Sequence, residues 1–184
     1  VLIGGVPVHI KKPAHAKKLG IGLLPEDRKL QGLVLRFSVQ SNIAMASLDK
    51  MRKFGFVDAS QERGIAERQI ANLGIKTPSP QTTVLSLSGG NQQKCVVGRW
   101  LEINPQILIM DEPTRGIDVG AKYEIYVLMK QIVENGGSII MISSELPEVL
   151  NMSNRVLTIC EGRITGEFNP EEVSAQTIMD SAIG

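Results

Sequence analysis

The chain has 184 residues, 42% of them hydrophobic and 21% charged, about one globular domain with enough apolar material for a core. Twenty Lys and Arg stand against nineteen Asp and Glu, a formal net charge of +1, which argues against a nucleic-acid footprint with its clustered basic excess. The apolar runs suit strands rather than membrane spans, and Cys95 and Cys160 lack the spacing of a metal site or disulfide framework.

Both cysteines lie in apolar stretches and read as reduced, buried thiols of a cytosolic protein. No secretory signal opens the chain. Val1-Leu2-Ile3 reads as a strand already under way, with no initiating Met, so we expect a fragment without its natural beginning.

Strand signals flank Gly4-Gly5 and predict a hairpin over residues 1–10. Pro13 begins a short helix that Gly20 ends. Ile21–Leu24 is a short apolar strand running into the polar Glu26-Asp27-Arg28-Lys29. Ser38 can cap a helix to about Leu48. Asp58 or Ser60 can cap another, with Ile65, Ile70 and Leu73 on one face and Gly74 at its end. Ser88 opens a helix that Asn104-Pro105 stops. Strand 107–110, helix 120–134, strand 138–142, a short helix near 147–151, strand 155–160 and strand 164–168 follow, and Pro170 opens a last helix. Alternating strands and helices predict an α/β fold with a mainly parallel sheet. The stretch of about 30–101 is mostly helical and reads as a lobe inserted into a core of residues 1–29 and 102–184.

Two segments carry chemistry. In Leu87-Ser88-Gly89-Gly90-Asn91-Gln92-Gln93-Lys94, the Ser88 hydroxyl can cap the helix or donate to a phosphate oxygen. The glycines let backbone N–H groups reach an anion with no Cβ in the way. In Ile107-Leu108-Ile109-Met110-Asp111-Glu112, an apolar strand ends in two carboxylates, where open α/β sheets bind ligands. Adjacent residues on extended chain point to different sides, so Asp111 can hold magnesium through water while Glu112 acts as general base toward an attacking water. The plainer reading makes the two acids caps of the next helix.

These segments, with Pro25-Glu26-Asp27-Arg28-Lys29, Asp111 to Lys122 and Ser143-Ser144-Glu145, resemble the ATP-binding-cassette ATPases. The wording is similar to the second, C-terminal cassette of the double-cassette ATPases of bacterial ribose, galactose and xylose importers. The resemblance implies ATP and Mg2+ as cofactors and a second cassette as partner. Ser88, Gly89, Gly90 and Asn91 would belong to the signature motif, which touches an ATP held by that partner. Asp111 and Glu112 would end the Walker B strand, and Arg115 to Asp118 would form the D-loop at the dimer interface. It also implies membrane permease subunits docked by the helical lobe, a sugar-binding protein acting indirectly, no nucleic acid, and a cytoplasmic location on the inner face of the membrane.

Three departures qualify this. No Gly-x-x-x-x-Gly-Lys-Ser/Thr phosphate loop (Walker A) occurs in the 184 residues. Glu26 stands where the family usually has a neutral Gln; its alternative role is a loop acid paired with Arg28 or Lys29. Ser144 stands where the family usually has a switch His, and a Ser can donate a hydrogen bond but cannot titrate; its plainer role is a helix N-cap. The expected function is therefore an ATPase-subunit fragment driving uptake of a simple sugar, its isolated chain inactive. The alternative is a regulatory cassette that completes the partner's site without hydrolysis. A soluble DNA-maintenance ATPase of the same superfamily is disfavoured by near-neutral charge and the lack of sustained heptads.

Overall fold

The structure, a computed structural model, describes residues 1–53 and 55–183. They fall into two units, residues 1–140 and 141–183.

The first unit opens with the expected hairpin, β1 (Leu2–Ile3) and β2 (Val6–Pro7), antiparallel about Gly4-Gly5. Helix α1 (Pro13–Lys18) follows, with Pro in its first turn. β3 (Ile21–Leu24) leads into a π-helical turn, Arg28–Gly32, whose first amides are capped by Asp27. In α2 (Val39–Ala44) the Ser38 hydroxyl accepts from Ser41 N, as its capping position predicts, but the helix tightens to a 3-10 stretch at Met45–Met51. The antiparallel strands β4 (Arg52–Lys53) and β5 (Phe56–Val57) then form a hairpin inside the stretch expected to be mostly helical. The backbone turns extended at Arg52, which ends the 3-10 stretch, and Gly55 has φ 89°.

Asp58 caps α3 (Ala59–Leu73), accepting from Ser60 N and Gln61 N, and Gly74 closes it in the left-handed conformation. A 3-10 turn at Val84–Ser86 precedes α4 (Gly89–Leu101). Then come β6 (Ile107–Asp111), α5 (Val119–Glu134) and β7 (Ser138–Ile142).

Helix α4 is central to this unit. It packs against α2, α3, α5 and β3, and Cys95, Val96 and Val97 are buried with Val39, Ile43, Ile65, Leu73 and Ile125. Each large apolar side chain so buried contributes about 1.5–3 kcal/mol before entropy is counted. The strand order is β3-β6-β7, with β3 and β6 parallel and Leu24 opposite Met110. One face of this pair is sealed: Leu24, Leu108 and Met110 are buried, and Gly22 lies so close under Trp100 that a Cβ there would meet the indole at 3.0 Å. Leu23, on the other face, stays 47% exposed.

The second unit holds α6 (Leu146–Met152), β8 (Val156–Cys160), β9 (Arg163–Phe168) and α7 (Ala175–Ile183). β8 and β9 form an antiparallel pair that α7 covers. Here Pro170 does not open the last helix as expected. Asn169 accepts from Glu171 N and Glu172 N, closing a turn around Pro170, and Ser174 caps the helix by accepting from Thr177 N.

Candidate functional site

Because β3 and β6 are parallel and in register, their carboxyl ends finish side by side. Residues 25–29 leave from one and residues 112–118 from the other, the edge where open α/β sheets bind ligands. Asp111 is the last residue of β6. Glu112 follows with φ 46°, a left-handed conformation that costs a non-glycine residue about 1–3 kcal/mol and persists only where its surroundings impose it. Arg115 N donates back to Glu112 O at 3.1 Å, and Thr114 is buried at the centre of the turn. The next helix, α5, is capped by Asp118, whose Oδ1 accepts from Ala121 N at 2.9 Å. Asp111 and Glu112 therefore do not cap it, and the plainer reading of the acidic pair falls.

The loop after β3 is bound to this turn. Glu26 forms an ion pair with Arg115, not with Arg28 or Lys29 as its sequence neighbours suggest. Arg28 is otherwise engaged: Nη1 donates to Arg115 O at 2.7 Å and Nη2 to Gly116 O at 3.0 Å. Asp27 spends its carboxylate on Lys29 N and Leu30 N. Together Glu26 to Lys29, Arg115 and Gly116 line a charged cleft of about 410 Å3. Burial pushes the Arg28 guanidinium down from its ordinary value, against the opposing charge of Asp27; it stays cationic at neutral pH.

The amino end of α4 meets the same turn. Ser88 occupies the N-cap position, but its side chain caps no backbone amide. Its Oγ instead accepts from Asn91 Nδ2 at 2.9 Å, while Asn91 Oδ1 accepts from Lys76 N at 2.8 Å. The exposed hydroxyl keeps its own proton to donate, and the first amides of the helix carry no side-chain cap. The two glycines also serve packing. A Cβ on Gly89 would stand 2.7 Å from Arg28 Nη2 and 3.1 Å from Gly116 O, and one on Gly90 would stand 2.5 Å from Ala121 Cβ. Only a chain without side chains there lets α4 touch the 115–121 segment.

The rest of the motif is scaffold. Gln92 donates to Val84 O and Leu87 O. Lys94, 5% exposed, donates to Gly74 O at 3.1 Å and pairs with Glu124 at 2.8 Å. That bond holds the Glu124 carboxyl below its ordinary range. Lys94 thus ties the end of α3 to α5 through α4.

Ser144 lies in the second unit and is not the helix cap that its sequence context suggests. The N-cap position of α6 is Glu145, and the neighbouring Ser143 Oγ accepts from Glu145 N at 3.0 Å and bonds Glu148. Among the described residues, no three His, Cys, Asp or Glu side chains converge on a metal position. Asp111, a carboxylate at the end of β6, has the oxygen chemistry that Mg2+ takes beside waters and phosphate oxygens.

Residues 1–115 match the family model described as ABC transporter. The chain belongs to the ABC transporter family. Among curated relatives, it is 50% identical over all 184 residues to the xylose import ATP-binding protein of Thermoanaerobacter pseudethanolicus, covering 36% of that protein. It is 47% identical over the same length to the ribose import ATP-binding protein of Bacillus subtilis, covering 37%. The chain thus spans just over a third of the curated relatives it matches. Of solved structures, cbiO1 from Clostridium perfringens, part of the ABC transporter complex cbiONQ, superposes with a TM-score of 0.74 at 23% identity over 97% of this chain and 68% of that one. An ATP-binding cassette solved as a post-hydrolysis dimer with ADP and Pi gives 0.72 at 20% identity, over 92% and 72%. These likenesses establish the α/β cassette fold.

Of the residues singled out in this ABC transporter chain, the first unit brings Glu26, Gly89 and the 111–118 turn around one edge of its sheet. Arg28 and Lys94 escaped the sequence reading, although both stand inside the quoted motifs. Both partners of Arg28, and Gly74 O among those of Lys94, are backbone carbonyls distant along the chain, and a carbonyl leaves no mark in a sequence.

Proposed function

We propose that the chain is part of the ATP-binding component of an importer of a simple sugar. The observation that carries this is the amino end of α4, whose first amides take no side-chain cap and beside which the Ser88 hydroxyl is exposed. It is a ready anion site, and the ribose and xylose import relatives supply the sugar-transport context.

In this reading Ser88, Gly89, Gly90 and Asn91 meet the phosphates of an ATP held by a second cassette. Asp111 would hold Mg2+ beside the local nucleotide, and the ion would supply charge neutralisation there. Glu112 orients and deprotonates the attacking water. Asp118, at the start of α5, belongs to the segment facing the second cassette. Glu26 and Ser144 take the positions that read the magnesium and the terminal phosphate. A helical lobe of about residues 30–101, set in a core of 1–29 and 102–184, docks permease subunits on the cytoplasmic face of the membrane. No described helix is long and apolar enough to cross it, and a sugar-binding protein delivers the cargo to the permease.

The test is ATP turnover by the longer protein that contains this chain. Ser88→Arg fills the anion site with a bulky side chain and should abolish most stimulated turnover. Unchanged turnover would sink the assignment.

A second reading is favoured by one feature. Glu26 is held by Arg115, and a carboxylate so engaged is poorly placed to replace a neutral Gln at a magnesium site. The cassette would then complete its partner's site without hydrolysing ATP itself. Glu112→Gln in the longer protein separates the readings: a large drop in turnover supports catalysis at Glu112, and little change supports the regulatory role.

A further inference from the structure

Arg28 joins three segments that are far apart in sequence. Its backbone starts the π-helical turn after β3. Its two terminal nitrogens fork onto consecutive carbonyls, Arg115 O and Gly116 O. Nη2 also occupies the space beside Gly89, 2.7 Å from where a Cβ would stand. A planar guanidinium can serve two acceptors at once, which the point charge of a Lys cannot do with the same geometry. Glu26 and Arg115, which line the same cleft as Arg28, form an ion pair. Arg28 Nε, by contrast, is buried and has no hydrogen-bond partner. A buried unsatisfied donor is costly, so the fork holds against a penalty that a shifted loop could relieve.

We propose that Arg28 is a positioning residue that locks the 25–29 loop, the 115–118 turn and the Gly89 end of α4 into one unit. Displacing the loop then moves Ser88 and the segment leading to Asp118 together. The part of this that concerns ATP rests on the function proposed above. The lock itself does not.

The experiment uses the longer protein with Arg28→Lys and Arg28→Met, both of which keep the aliphatic stem. Hydrogen exchange of the amides of residues 115–121 and 88–91 reads the lock. Loss of two charge-assisted bonds should speed exchange there by roughly tenfold or more, while α3 amides stay unchanged. In ATP turnover, both variants should lower kcat by about tenfold with KM within about twofold, because Arg28 orients groups without touching nucleotide. Lys should not rescue. If the variants fail to fold, Gly89→Ala tests the lock from the opposite side: its methyl collides with Nη2, and the same amides should exchange faster. Unchanged exchange at 115–121 in folded variants overturns the lock. Absent turnover in the unmodified protein overturns the proposed function instead, and leaves the exchange result to decide Arg28. A rise in KM with kcat intact overturns the positioning role.

Discussion

Replacing Gly90 by Ala puts one methyl group where two helices already touch. The new Cβ would lie 2.5 Å from Ala121 Cβ and 3.7 Å from Ala121 Cα, whereas carbon atoms pack at about 3.5–4.0 Å. Neither methyl has a rotamer through which to escape, so α4 and α5 must separate by about 1 Å. Overpacking of this kind costs typically about 1–3 kcal/mol. The gain in helix propensity from Gly to Ala returns at most about 1 kcal/mol, and less near a helix end. The expected net loss is about 1–2 kcal/mol. The collision names its own remedy: Ala121→Gly removes the obstacle. The double variant should recover most of the loss, giving a coupling energy of about 1–2 kcal/mol in a double-mutant cycle. Urea unfolding followed by circular dichroism reads this as midpoint shifts at constant slope. A Gly90→Ala variant as stable as the parent, or a double variant whose losses simply add, would refute the packing reason for the second glycine.

Four further outcomes follow from the same structure. Lys94→Met keeps the buried stem but leaves Gly74 O without its donor, so stability should fall by about 1–2 kcal/mol in the same assay. The Lys94 bond depresses Glu124 in the folded state. Its contribution is therefore present above the ordinary carboxyl value of 4.5 and disappears as pH falls through the lower folded value; acid titration of stability should show this step in the parent and not in Lys94→Met. Asn42 is fully buried, binds Val34 through both N and O, and accepts from Arg99 through its side chain and main chain. Asn42→Ala should cost about 2–4 kcal/mol by orphaning several buried groups, and a midpoint shift near zero would contradict that. Burial pushes the Cys95 thiol up to about 12, so it should resist thiol reagents at pH 8 while the less buried Cys160 reacts first; mass spectrometry of partly labelled protein reads the order.

Much of the architecture is legible in local signals because each acts over a few residues. Asp58 and Gly74 bracket α3, the apolar run 107–110 is a strand, and Gly4-Gly5 turns a hairpin. The errors also have local causes. Ser174 outcompetes Pro170 for the start of α7 because Asn169 takes Pro170 into a turn. The hairpin at 52–57 is too short to announce itself by periodicity. Ser88 looks like a cap in sequence and stands at the cap position, yet Asn91 claims its oxygen.

The sequence by itself determined the family, through motifs whose residue types and order carry chemistry, and it determined most helix and strand limits. Only the tertiary structure decided who pairs with whom at the carboxyl edge of the sheet. Glu26 binds Arg115 rather than its neighbours, Arg28 takes two carbonyls nearly ninety positions away, and the glycines of Ser-Gly-Gly are needed by Arg28, Gly116 and Ala121 as well as by any phosphate. The reason is physical: these partners are brought together by the parallel register of β3 with β6. Backbone carbonyls and forbidden Cβ volumes are the same for every sequence until a fold places them.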